Sequence, residues 1–146
     1  MMQMLCNGGL TALTDDVRTQ DISNPKGYFE YEKVKSLAQD AEWLHLAQGK
    51  VVKVIAQLVP FLPKQFNYKI IMMHRDIKEI LTSQQKMLGK DTAVIPFALS
   101  DIFTKQLHHT EQFIASQPNM EILSIHYKQV IESPLEQAQS IASFLE

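Results

Sequence analysis

Tyr68-Lys69-Ile70-Ile71-Met72-Met73 is an almost unbroken apolar run that ends abruptly in His74-Arg75-Asp76. A run so short and continuous suits a strand covered on both faces, where neither set of alternating side chains meets water. Strands of that kind belong to parallel sheets, and parallel neighbours need a crossover connection between them. Asp76-Ile77-Lys78-Glu79 has the form of a capping box with Asp at the N-cap. It launches a helix expected to run through Met87-Leu88 and to stop at Gly89.

The same alternation extends in both directions. Met1 to Asn7 forms a short helix that Gly8-Gly9 terminates. Thr11 to Lys26 is polar and closes in the turn Asn24-Pro25-Lys26-Gly27. Tyr28 to Glu32 is a short strand or an ordered loop. Val34 to Trp43 is expected to be helical, with Val34, Leu37, Ala38, Ala41 and Leu44 at helical spacing. Val51-Val52-Lys53-Val54-Ile55-Ala56 is expected to be a strand, closed by Pro60 and Pro63. Pro96 to Ser116 is a long helix and Met120 to Ile125 a further strand. Ser133 caps and Pro134 opens a helix from Leu135 to Leu145. Strands alternating with helices predict an α/β fold with a parallel sheet flanked by helices. With no repeat or linker, the 146 residues predict one domain, or part of one.

Composition narrows the function classes. Apolar content of 45% and charged content of 21% are those of a globular protein. The formal net charge of −2 gives no electrostatic reason for nucleic acid or an anionic membrane as partner. No apolar run approaches the roughly 20 residues of a membrane span, and the start lacks the basic flank of a signal peptide. Cys6 is the only cysteine, which excludes an internal disulfide and fits a reducing, cytoplasmic setting. Without a basic neighbour in sequence, it is read as a packing residue.

The chemistry concentrates after the apolar run. Arg75 stands at the carboxyl end of a strand, where ligands collect in open α/β sheets. The helix that follows adds backbone donors at its start. Ser83, seven residues beyond Asp76, falls on the same side of that helix. A guanidinium fork and a hydroxyl aimed at one pocket suit a phosphate monoester, although an arginine after a strand also serves as an ordinary ion-pair partner.

These residues resemble those of the P-loop sulfotransferases. That family carries, after a sheet strand, an Arg-Asp followed by a serine eight residues past the arginine, and Arg75, Asp76 and Ser83 stand at those positions. A second block, Ile122 to Pro134, resembles the family's late strand, its tyrosine and a Pro-started helix ending in a Phe-Leu pair, here Phe144-Leu145. Lys128 and Gln129 depart from the acidic residues usual after that tyrosine. A third block, Asn24 to Glu30, is similar to the acceptor-side loop of bacterial members.

The resemblance implies a three-layer sheet of the P-loop type and a donor, 3′-phosphoadenosine-5′-phosphosulfate (PAPS), used without a metal. Arg75 and Ser83 would hold its 3′-phosphate, and Tyr127 would pack near the adenine. The sulfuryl group would pass to a hydroxyl or amine on a small-molecule acceptor that the sequence does not specify. Neither nucleic acid nor membrane is expected as a partner, and self-association into a homo-oligomer is left open.

The family's Gly-rich loop for the 5′-phosphosulfate precedes its first helix, and here nothing stands before Met1. The sequence therefore leads us to expect a partial domain spanning 1–146, without the first strand and loop, and inactive in this form. Lys53 resembles the strand lysine that precedes the catalytic histidine of cytosolic members, but the histidine position is Ile55. A carboxylate base is then expected, Glu30 first and Glu32 second; both also suit ordinary solvated positions. A non-catalytic nucleotide-binding scaffold is the alternative. A kinase-like reading is disfavoured by the absence of an acidic strand end suited to magnesium. His108-His109 with Glu111 and Gln112 is read as a solvated helix face, because adjacent helical residues point apart.

Overall fold

The structure, a computed structural model, describes residues 1–15, 17, 18, 22, 24, 25, 27–77, 79, 80, 82, 83 and 97–146, with the backbone alone at 97–99. The chain divides into two compact units, Met1–Phe66 and Asn67–Glu146.

The first unit opens with α1 (Met2–Asn7), which buries Leu5. Gly9 ends it in the left-handed region at φ 98°, where a side chain would be strained. This lets the Leu10 N–H reach back to the Leu5 carbonyl at 3.1 Å. Beyond it the chain is mostly turns, with 3-10 segments at Glu32–Ser36, Glu42–Ala47 and Ala56–Phe61. Leu37, Trp43, Val34 and Leu44 form the centre of the core, Trp43 only 1% exposed. Its indole N–H donates to the Asp40 carbonyl at 3.2 Å, and its ring meets Tyr31 edge-on with centroids 5.1 Å apart. Burial of each such side chain stabilises the fold by about 1.5–3 kcal/mol.

Two expectations fail in this unit. The helix expected over 34–43 is replaced by 3-10 turns. Asp40 breaks the run by accepting the Glu42 N–H on Oδ1 at 2.9 Å, which starts a fresh turn. The strand expected over 51–56 is reduced to a single parallel bridge, Ala12 with Val51. The Val51 N–H donates to Thr11 and the Val51 carbonyl accepts from Leu13, and there the pairing ends. The next segment turns at Ala56, with Pro60 inside the turn. β-Branched residues favour a strand only where a partner completes the ladder.

The second unit holds the regular structure. β1 (Tyr68–His74) and β2 (Met120–His126) pair in parallel, in register from Tyr68 with Met120 to His74 with His126. Between them runs α2 (Phe97–Ala115), which packs on β2. α3 (Tyr127–Glu132) leaves β2 directly, and α4 (Pro134–Leu145) packs against both strands. Met72, Ile114, Met120, Ile125 and Ile141 are buried between these layers. Thr110, buried among them, satisfies its hydroxyl on the Gln106 carbonyl at 3.1 Å. Lys69 donates to the Phe144 carbonyl at 2.7 Å, a cation on the last turn of α4.

The α/β class stands, in coarser form than expected. Among the described residues the sheet has two parallel strands flanked by helices. Ser133 occupies the N-cap position of α4 without a side-chain cap bond, while Pro134 opens the helix as expected. The helix expected to follow Asp76 is present at residues 77, 79, 80, 82 and 83, and its continuation to Gly89 lies outside the described residues. No helix among those residues is long and apolar enough to cross a membrane.

Candidate functional site

The in-register parallel pairing brings the residues that leave β1 and β2 to one level. His74 and His126 are register partners, so Arg75 and Tyr127 follow side by side. The Arg75 guanidinium carbon lies 4.9 Å from the centroid of the Tyr127 ring, a cation–π distance. Tyr127 is the first residue of α3 and 43% exposed.

Asp76 caps the helical stretch after β1, its Oδ1 accepting the Glu79 N–H at 3.2 Å. The Glu79 side chain carries a second contact. It turns to Arg75, whose Nε donates to Oε2 at 3.1 Å. Arg75 is therefore contacted from two sides, by the Tyr127 ring and by a carboxylate one helical turn on. Ser83 lies further along the same stretch, half-buried, and no hydrogen bond joins it to Arg75 among the described residues.

Arg75, Asp76, Glu79 and Tyr127 line a cleft of about 430 Å³, with Ile131 contributing an apolar wall; Ser83 is not among its described lining residues. His74 and His126 stand at its strand-end side, ring centroids 5.3 Å apart. His74 Nε2 reaches Glu111 Oε1 on α2 at 3.3 Å. Volume, aromatic face and guanidinium suit a ligand of nucleotide size with an anionic group.

The first unit carries a separate cluster. Lys53 Nζ donates to Glu30 Oε1 at 3.2 Å and to the Tyr28 carbonyl at 3.2 Å. Arg18 Nη1 meets the same Glu30 oxygen at 3.2 Å, and its guanidinium carbon lies 3.5 Å above the buried Tyr28 ring. Phe29, between these residues, takes φ 51°, an uncommon left-handed conformation for a bulky side chain. Glu32, the second carboxylate candidate, is engaged elsewhere. It pairs with Lys35 at 2.7 Å, and that hydrogen bond raises the lysine above its ordinary pKa. Ile55 is exposed.

Of the sequence candidates, then, Glu30 and Lys53 meet in the first unit and Arg75 and Tyr127 in the second. Among the described residues no three His, Cys, Asp or Glu side chains converge as metal ligands. His108 and His109 are both exposed on α2, His108 contacting Gln112 at 3.0 Å.

A sequence model described as the sulfotransferase family matches residues 10–146, nearly the whole chain. The chain belongs to the sulfotransferase family. No curated protein and no solved structure gives a match. In this sulfotransferase-family chain the matched span contains both clusters. Sequence reasoning missed Arg18, Glu79 and the two strand-end histidines. Only the Arg75–Glu79 spacing of four, which places the pair on one helix face, offered a local signal.

Proposed function

We propose that this protein uses the cleft beside Arg75 to bind the 3′-phosphoadenosine end of PAPS, as part of sulfuryl transfer to a hydroxyl or amine acceptor. The stacked Arg75–Tyr127 pair at the strand ends carries the proposal. It presents a guanidinium for a phosphate monoester beside an aromatic face for the base. Ser83 is the second phosphate donor in this reading, and Ile131 supplies the apolar wall.

In the transfer, the acceptor oxygen or nitrogen attacks sulfur while the bond from sulfur to the bridging phosphate oxygen breaks. Adenosine 3′,5′-bisphosphate leaves, and the acceptor's proton goes to a base. Glu30 is the base in this reading, with Lys53 and Arg18 orienting its carboxylate, a role that fits the shared contact at Oε1. A second reading, nucleotide binding without turnover, is favoured by the aliphatic Ile55 where cytosolic relatives carry histidine.

Calorimetric titration with adenosine 3′,5′-bisphosphate and, separately, adenosine 5′-monophosphate tests the donor site. The bisphosphate should bind much more tightly. Equal affinity for the two would remove the 3′-phosphate from the proposal.

A further inference from the structure

We infer that Asp15 is a positioning residue of the first unit: it braces the backbone around Glu30 and so holds that carboxylate at Lys53. It rests on the reading of Glu30 as the base and names what keeps that base in place.

The hydrogen bonds of Asp15 carry it. Its carboxylate accepts the Glu32 N–H on Oδ2 at 2.6 Å and the Val17 N–H on Oδ1 at 3.2 Å. Its own N–H donates to the Glu30 carbonyl at 3.4 Å, a longer and weaker bond. One residue thus holds both ends of residues 30–32. The bond from Glu32 to the carboxylate is the principal tie, because a charged acceptor roughly doubles the strength of a hydrogen bond. The same stretch supports the other member of the pair. The Leu13 N–H donates to the Val51 carbonyl at 2.9 Å, and the Val51 N–H to the Thr11 carbonyl at 3.0 Å. Lys53 lies two residues beyond that bridge, and its Nζ reaches the Tyr28 carbonyl and Glu30 Oε1, both at 3.2 Å. Residues 11–15 are therefore the common support on which Glu30 and Lys53 meet.

The pair needs such a support. Glu30 lies outside any helix or strand, and the residue before it, Phe29, takes φ 51°. A bulky residue keeps that conformation only where its surroundings impose it. Here the peptide groups on both sides are tied, the Tyr28 carbonyl by Lys53 and the Glu30 carbonyl by Asp15. Loss of the Asp15 side chain releases the Glu32 N–H and lets Phe29 relax towards the ordinary regions. That relaxation turns the Glu30 side chain away from Lys53. Asp15 acts through the backbone of residues 30 and 32, so it is a positioning residue and not a catalytic one.

The test is carbon NMR of the full chain, reading the Glu30 carboxyl resonance, which its loss in Glu30→Gln identifies. Lys53→Met should move that resonance in the wild-type background. In Asp15→Ala the same substitution should move it at least about twofold less, as in a double-mutant cycle. Asp15→Asn keeps one acceptor oxygen for the two N–H groups and should fall between. The Glu32 amide should exchange with solvent roughly ten- to hundredfold faster in Asp15→Ala. Asp40→Ala controls for general loosening. It also removes a side-chain acceptor of a backbone N–H in this unit, that of Glu42 at 2.9 Å, and should leave the response to Lys53→Met at its wild-type size. An undiminished response in Asp15→Ala, or in Asp15→Asn if the alanine variant does not fold, overturns this inference alone. So does an equal fall in Asp40→Ala. No response to Lys53→Met in the wild-type background removes the Glu30–Lys53 pair from the base reading, and this inference falls with it. The donor reading is decided separately, by the nucleotide titration.

Discussion

Arg75 and Tyr127 leave adjacent parallel strands at the same level, and the guanidinium carbon of one lies 4.9 Å from the ring centroid of the other. The pairing follows from register, since a shift of one residue between β1 and β2 would separate them. The contact narrows the rotamers open to the guanidinium, and any such restriction lowers the entropic cost of meeting an anion.

Tyr127 should therefore matter through its ring more than its hydroxyl. Tyr127→Leu removes a cation–π contact of about 0.5–1 kcal/mol, so nucleotide affinity should fall roughly two- to fivefold. Tyr127→Phe should stay close to wild type. Titration calorimetry of the two variants checks this, and equal losses in both would assign the effect to the hydroxyl.

Tyr68 begins β1, and its burial raises the phenol from 10.0 to about 12. The folded state thus holds the proton more tightly than the unfolded state. Below pH 10 this contributes no pH dependence, and stability is lost as pH rises from 10 to about 12. Phenolate absorbance in an alkaline titration should show a late component that Tyr68→Phe removes.

Leu37 is 2% exposed beside Trp43, the only tryptophan in the chain. Leu37→Ala should cost about 2–5 kcal/mol by removing buried methyl groups and leaving a cavity. Urea unfolding followed by Trp43 fluorescence measures it. A cost under about 1 kcal/mol would mean that this site relaxes or is not closely packed.

The fold was legible where the pattern was local. Tyr68 to Met73 and Met120 to Ile125 form strands close to their expected bounds, and Pro134 to Leu145 forms its helix, because periodicity and end signals agree. Val51 to Ala56 carries as strong a β signal, yet makes one bridge, since a strand's stability lies in its neighbour. The site divides in the same way. Arg75 was visible as a strand-end cation, and Lys53 and Glu30 entered through family likeness. His74 with His126, and Arg18 with Glu30, depend on register and on a left-handed backbone at Phe29 that no spacing encodes.

The Glu30–Lys53 pair is part-exposed, at 25% and 45% of the side chains. Its contribution to stability should be small. A double-mutant cycle with Glu30→Gln and Lys53→Met, read by urea unfolding, should give a coupling under about 1 kcal/mol. A coupling above about 2 kcal/mol would make the pair a structural element and weaken its assignment to chemistry.

Whether Arg75 anchors a 3′-phosphate is decided by titrating wild type and Arg75→Ala with adenosine 3′,5′-bisphosphate at constant ionic strength. Wild type should bind, and removing this charged hydrogen-bond donor should weaken binding roughly ten- to hundredfold. Equal affinity in the two proteins, or no binding by wild type, would contradict such anchoring.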